Sequence, residues 1–151
     1  LFDAEAIGEA ARLAGILPFL ARSYQTLSGG EKQRAQFARA IAQIWRPKDH
    51  GEDEGRYLIL DEPTSALDLR HQRLVLDVAR RLADEGVGVL AAIHDLNLAS
   101  AYADDVTLLK SGRLLASGDA ESTLTASVLG ACFDVEVEIL TRENGQRAIL
   151  V

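Results

Sequence analysis

Two short apolar runs, residues 57–60 (YLIL) and 87–93 (VGVLAAI), bracket one segment of helical period, and that order leaves few folds open. Each run has the length and composition of a strand buried on both faces. Residues 69–85 between them read as an amphipathic helix closed by Gly86, a usual residue just past a helix end. Strand, helix and strand in sequence predict parallel pairing, because parallel strands need a long crossover between them. The expected class is therefore α/β.

The flanks add helices before this unit and hairpins after it. Ile7, Ala10, Ala11 and Ala14 recur at helical spacing and stop at Gly15 and Pro18, while Phe37, Ile41, Ile44 and Trp45 form a second stripe that ends before Pro47. Residues 106–109 and 113–116 around Ser111-Gly112 predict an antiparallel hairpin, as do 135–140 and 148–151 around Asn144-Gly145. Residues 47–56 (PKDHGEDEGR) are polar and glycine-rich and predict an exposed insertion loop.

Composition narrows the functional classes. With 48% hydrophobic and 26% charged residues, the 151-residue chain can bury a core and leaves little room for a disordered tract. No apolar run approaches the roughly 18 residues of a membrane span, so a membrane role is expected to go through a partner. No secretory signal is expected, and a chain that opens at Leu1 reads as a piece of a longer one. Cys132 stands alone in an apolar stretch, which predicts a small buried side chain in a reducing, cytoplasmic setting. The net charge of −7 argues against non-specific nucleic-acid binding. Arg70, Arg73, Arg80 and Arg81 share one helical segment and are expected to form a solvated face.

Three places carry chemistry. Ser28-Gly29-Gly30-Glu31 has the S-x-x-E form of a capping box, so a helix is expected to begin at Ser28. Its two glycines let an anion approach the first-turn amides and the positive end of the helix dipole. By itself such a box is a common structural device. Asp61 and Glu62 close the first apolar strand at its C-terminal edge, where open α/β sheets place ligands. Neighbours on a strand point to opposite sides, so one carboxylate can orient Mg²⁺ through its water shell while the other polarises a water. A strand ending in solvated acids before Pro63 would look the same. His94 follows the second run and is expected at the same edge, although a lone histidine in such a turn is more often structural.

In context these segments are more specific. The string LSGGEKQR resembles the signature sequence of ATP-binding-cassette (ABC) ATPases, ILDEPTSALD resembles the family's Walker B segment running into its D-loop, and IHDLNLA resembles its switch region. The resemblance implies a P-loop-type ABC ATPase fold, in part, with a helical signature subdomain over residues 1–46 and the Walker B strand, D-loop, switch histidine and C-terminal strands over 57–151. It also implies roles. Asp61 would be the Mg²⁺-side carboxylate, Glu62 the catalytic base and His94 the γ-phosphate contact. Ser28, Gly29, Gly30, Glu31 and Asp68 would face ATP held by the opposite subunit of a head-to-tail homodimer. The phosphate loop GxxxxGK[ST] is not found in these 151 residues, whose lysines are Lys32, Lys48 and Lys110, so hydrolysis by this chain alone is not expected.

The segments LDEPTSALDLRHQ, HDLNLASAYADDVTLLKSGRLLASG and VEVEIL resemble importers of iron chelates, haem and cobalamin, and the Trp-Arg-Pro and glycine-rich stretch between Ile44 and Tyr57 resembles the ATP-binding subunits of bacterial haem (hemin) importers. This implies transmembrane permease partners, indirectly a periplasmic binding protein, no nucleic acid, and a place on the cytoplasmic face of the inner membrane. Import of a ferric siderophore or cobalamin is the alternative. From other classes, a soluble non-transport ABC ATPase and an inactive dimerisation fragment also share these motifs.

Overall fold

Alanines set how closely the first two helices approach. In helix α1 (Phe2–Leu13) and just past its end, Ala10, Ala11 and Ala14 share one core with Phe37, Ala38 and Ile41 of α2 (Gly29–Ile44). The structure, a computed structural model, describes residues 2–45, 55–143 and 145–151, and it divides at Ala92/Ile93 into two units. In the first unit α1 ends at Gly15, whose φ of +65° suits a residue without Cβ, and the Ile16 amide reaches back to the Ala11 carbonyl at 2.9 Å. Two short 3₁₀ turns, Leu17–Phe19 and Tyr24–Thr26, lead into α2. Ile7, expected on the buried stripe, is 51% exposed and Ala6 is buried instead. The contact face runs along positions 6, 10 and 14, and residue 7 sits about 100° round the helix from Ala6.

Strand β1 (Arg56–Asp61), helix α3 (Leu69–Asp84) and strand β2 (Val87–Ala92) form the expected unit. The strands pair in parallel, with Arg56 opposite Val87 and Asp61 opposite Ala92. Leu58, Leu60 and Val87 meet Val75, Val78, Ala79 and Leu82 in the same core as the two helices. The expectation of strands buried on both faces fails: Tyr57, Ile59 and Leu90 are 71%, 73% and 66% exposed. Alternate residues face opposite sides of a sheet, and the described residues of this unit cover only the side toward α3. Gly86, at φ +85°, closes α3. Arg70, Arg73 and Arg81 are exposed, as expected, and Arg80 pairs with Asp84 at 2.8 Å.

The second unit begins with α4 (Leu96–Tyr102) and continues through β3 (Asp105–Lys110), β4 (Arg113–Asp119), α5 (Ala120–Thr123), α6 (Ala126–Phe133), β5 (Glu138–Thr141) and β6 (Arg147–Leu150). Both expected hairpins are antiparallel, and the first turns through Ser111 and Gly112, both at positive φ. Leu108, Ala120, Leu124, Leu129, Cys132 and Ile149 form a separate core, so Cys132 is the buried side chain its surroundings predicted. Asn97 holds the last strand to α4 with a paired contact, its Nδ2 donating to the Ile149 carbonyl at 3.0 Å and its Oδ1 accepting the Ile149 amide at 2.7 Å. Most of the insertion expected over 47–56, and Asn144 of the second turn, lie outside the described residues. Among the described residues no helix is long and apolar enough to cross a membrane.

Candidate functional site

Helix α2 starts as a true capping box. The Ser28 hydroxyl accepts the Glu31 amide at 3.3 Å, and the Glu31 carboxylate accepts the Ser28 amide at 2.7 Å. Those bonds account for two first-turn donors and leave the Gly29 and Gly30 amides, which by position have no intrahelical acceptor. A side chain at Gly29 would meet nothing within 4 Å, so the space beside Gly29 is open. The hydrogen bond from the Ser28 amide, then that with the Ser28 side chain, hold the Glu31 carboxyl below its ordinary range, with Arg22 and Arg34 adding weaker attraction. Glu31 is therefore charged at neutral pH, beside the place where an anion would bind.

Asp61 is the last residue of β1 and is exposed. Glu62 leaves the strand with a φ of +44°, so a left-handed turn, rather than the alternation of a continuing strand, separates the two carboxylates. Such a backbone is uncommon outside glycine and needs support. The Glu62 amide donates to the Ala92 carbonyl of β2 at 3.1 Å. Its carbonyl accepts the Ser65 hydroxyl at 3.1 Å, the Ser65 amide at 3.3 Å and the side-chain amide of Gln33 at 2.6 Å.

Gln33, quoted in the sequence only as part of a longer string, is thus a member of the site. Its Oε1 accepts the Ala66 amide at 3.0 Å and its Nε2 also lies 3.4 Å from the Ser65 hydroxyl. One helical turn earlier, a Cβ on Gly30 would stand 3.2 Å from the Ala66 carbonyl, so glycine is what allows α2 to lie this close to the turn after β1. Helix α2 and the acidic turn therefore share one packed corner within the first unit. Spacing along the chain gave no signal for this, since Gln33 and Glu62 are 29 residues apart.

Asp68 caps α3. Its Oδ1 accepts the His71 amide at 2.9 Å and lies 2.8 Å from the His71 ring Nδ1, and the first of these bonds is the main cause that lowers its pKa. His71, to which the sequence suggested no role, orients Asp68. His94 is exposed and lies in the second unit, two residues beyond the end of β2 and just before Asp95, which caps α4. Among the described residues no three His, Cys, Asp or Glu side chains converge into a metal cage. One carboxylate such as Asp61 suits Mg²⁺, which keeps several waters and takes further oxygens from substrate phosphates.

No family model matches the chain. It is 46% identical over 130 residues to the hemin import ATP-binding protein HmuV of Hahella chejuensis, covering 86% of this chain and 50% of that protein. The protein of the same name from Pseudomonas putida is 47% identical over 149 residues, covering 98% and 56%. The chain thus spans about half the length of the curated relatives it matches. Among solved structures, an inward-facing metal-chelate type ABC transporter superimposes with a TM-score of 0.79 at 27% identity, over 97% of this chain and 56% of that one. An ATP-binding cassette in a dimeric post-hydrolysis state bound to ADP and Pi gives 0.65 at 25% identity, over 77% and 46%.

Proposed function

We propose, from the premise that this chain is the C-terminal portion of an ATP-binding-cassette ATPase, that the full-length protein hydrolyses ATP to energise haem import across the bacterial inner membrane. The observation that carries the reading is the likeness, over nearly the whole chain, to proteins named for hemin import, at 41% to 47% identity. The geometry supports it with an open helix N-terminus for phosphate and a carboxylate turn at the C-terminal end of a parallel strand.

In this reading two copies assemble head to tail, and the related cassette is dimeric. Ser28 donates its hydroxyl hydrogen, and Gly29 and Gly30 their amides, to the γ-phosphate of ATP held by the opposite copy; Glu31 keeps that helix end folded. Asp68 faces the same nucleotide from the turn before α3. Asp61 would hold a magnesium ion, which would supply charge neutralisation at the phosphates. Glu62 accepts a hydrogen bond from the attacking water and takes its proton as the water oxygen bonds to the γ-phosphorus and the bond from that phosphorus to the β–γ bridging oxygen breaks, releasing ADP and phosphate. His94 contacts the γ-phosphate. Little covalent work falls to the protein, and positioning with charge stabilisation carries the rate. The copies bind transmembrane permease subunits on the cytoplasmic face, and a periplasmic binding protein delivers the solute.

Import of a ferric siderophore or cobalamin is the second reading, favoured by the likeness to a metal-chelate type transporter. The test is the full-length protein reconstituted with its permease in vesicles. Haem, delivered by the binding protein, is expected to stimulate ATP turnover and accumulate, and stimulation by a ferric siderophore alone would transfer the assignment. Glu62→Gln is expected to cut turnover by about 100-fold or more and to leave an ATP-bound dimer in gel filtration. Undiminished turnover in that variant would remove Glu62 from its role.

A further inference from the structure

We propose that Gln33 is a positioning residue that ties the phosphate-facing end of α2 to the backbone of Glu62, making one rigid corner of two parts of a composite site. The proposal rests on the ATPase reading above for its catalytic consequence, but its structural half stands on contacts within this chain. Gln33 Nε2 donates to the Glu62 carbonyl at 2.6 Å, and Gln33 Oε1 accepts the Ala66 amide at 3.0 Å. One planar amide therefore closes both ends of the turn that begins at the general base.

The residue type follows from the task. The turn presents an acceptor and a donor together, and only an amide offers a donor and an acceptor side by side on one rigid group. Glutamate would keep the acceptor for Ala66 but set a charge against the Glu62 carbonyl. Lysine would keep a donor and lose the acceptor. Asparagine is a methylene shorter. Gly30 adds a second contact from the same helix face, its Cα lying where any Cβ would press on the Ala66 carbonyl at 3.2 Å.

The consequence is mechanical. Glu62 holds a φ of +44°, a conformation that persists only when its surroundings enforce it, and Gln33 is the donor nearest its carbonyl. The tie therefore fixes the backbone that aims the Glu62 carboxylate. Losing the tie leaves ATP binding to its own groups and misaims the base, so the loss falls on kcat and not on KM.

Two measurements test this. In the full-length protein, amide exchange followed by NMR is expected to show Ala66 protected, with protection falling about tenfold or more in Gln33→Ala and largely retained in Gln33→Glu, which keeps the acceptor. An unprotected Ala66 amide in the wild type, or equal protection in Gln33→Ala, overturns the tie. In the full-length protein, Gln33→Ala and Gln33→Glu are both expected to lower kcat by about 10- to 100-fold with KM for ATP little changed. Should Gln33→Ala fail to fold by circular dichroism, Gln33→Glu carries the kinetic arm alone. Unchanged kcat, or a rise in KM alone, overturns the positioning role. A wild-type protein without turnover overturns the ATPase reading and the catalytic consequence with it, while the exchange result still decides the tie.

Discussion

At the scale of single residues, the buried cation Arg34 joins helix α2 to the end of α1. It is 7% exposed, and its guanidinium donates to the Gly15 carbonyl at 2.7 Å and lies 5.9 Å from the centre of the Phe19 ring. The end of α1 leaves carbonyls without intrahelical donors and carries the negative end of the helix dipole, so a cation here is doubly suited. Among the described residues the Arg34 Nε has no partner. Arg34→Ala is expected to destabilise the first unit by about 1–3 kcal/mol, since the Gly15 carbonyl loses its donor. Arg34→Lys should recover only part of this, because an ammonium lacks the planar fork and stacks poorly on Phe19. Urea midpoints of the two variants decide, and an undiminished midpoint in Arg34→Ala would show the contact to be idle. In the sequence Arg34 looks like any charge on an amphipathic helix; its burial depends on a loop 19 residues upstream.

At the scale of elements, the helices are held at their first turns by side chains that bind backbone amides. Ser28 with Glu31 opens α2, Asp68 opens α3, Asp95 opens α4, Asp119 opens α5 and Thr125 opens α6. Three of the carboxyls among these have lowered pKa values, each through hydrogen bonding: Glu31 chiefly from the Ser28 amide, Asp68 chiefly from the His71 amide, and Asp119 chiefly from the Ser122 hydroxyl. A folded-state pKa below the unfolded one means the unfolded chain binds the extra proton first. Their contribution is therefore complete above the ordinary carboxylate range near pH 4, and is lost as pH falls through the lowered folded values. Urea midpoints are expected to hold from neutral pH to about pH 5 and then decline. The combined variant Glu31→Gln, Asp68→Asn, Asp119→Asn should flatten that decline, and an unchanged slope would assign it elsewhere. The longer helices α1, α2 and α3 were legible from periodicity. The shorter α4, α5 and α6 were not, because 4 to 8 residues make too few turns for a stripe.

At the scale of the whole molecule, two cores organise the chain, one around Ile41, Leu58 and Val75 and the other around Leu124, Leu129 and Ile149. Ile41→Ala and Leu129→Ala are each expected to cost about 2–5 kcal/mol. Hydrogen exchange should speed chiefly in α2 and β1 for the first and in α6 and β3 for the second. Equal acceleration throughout both units would deny that the cores are separate. The sequence by itself determined the parallel strand–helix–strand unit, the capping box, both hairpins and the acidic strand end, because hydrophobic period, caps and turn residues act over a few neighbours. Only the tertiary structure decided that one face of β1 and β2 stays exposed in this chain, that Glu62 turns left-handed, and that Gln33 and Arg34 are structural ties. Those outcomes depend on which surfaces and backbone groups meet across 19 to 33 residues of intervening chain, and no local pattern encodes that meeting.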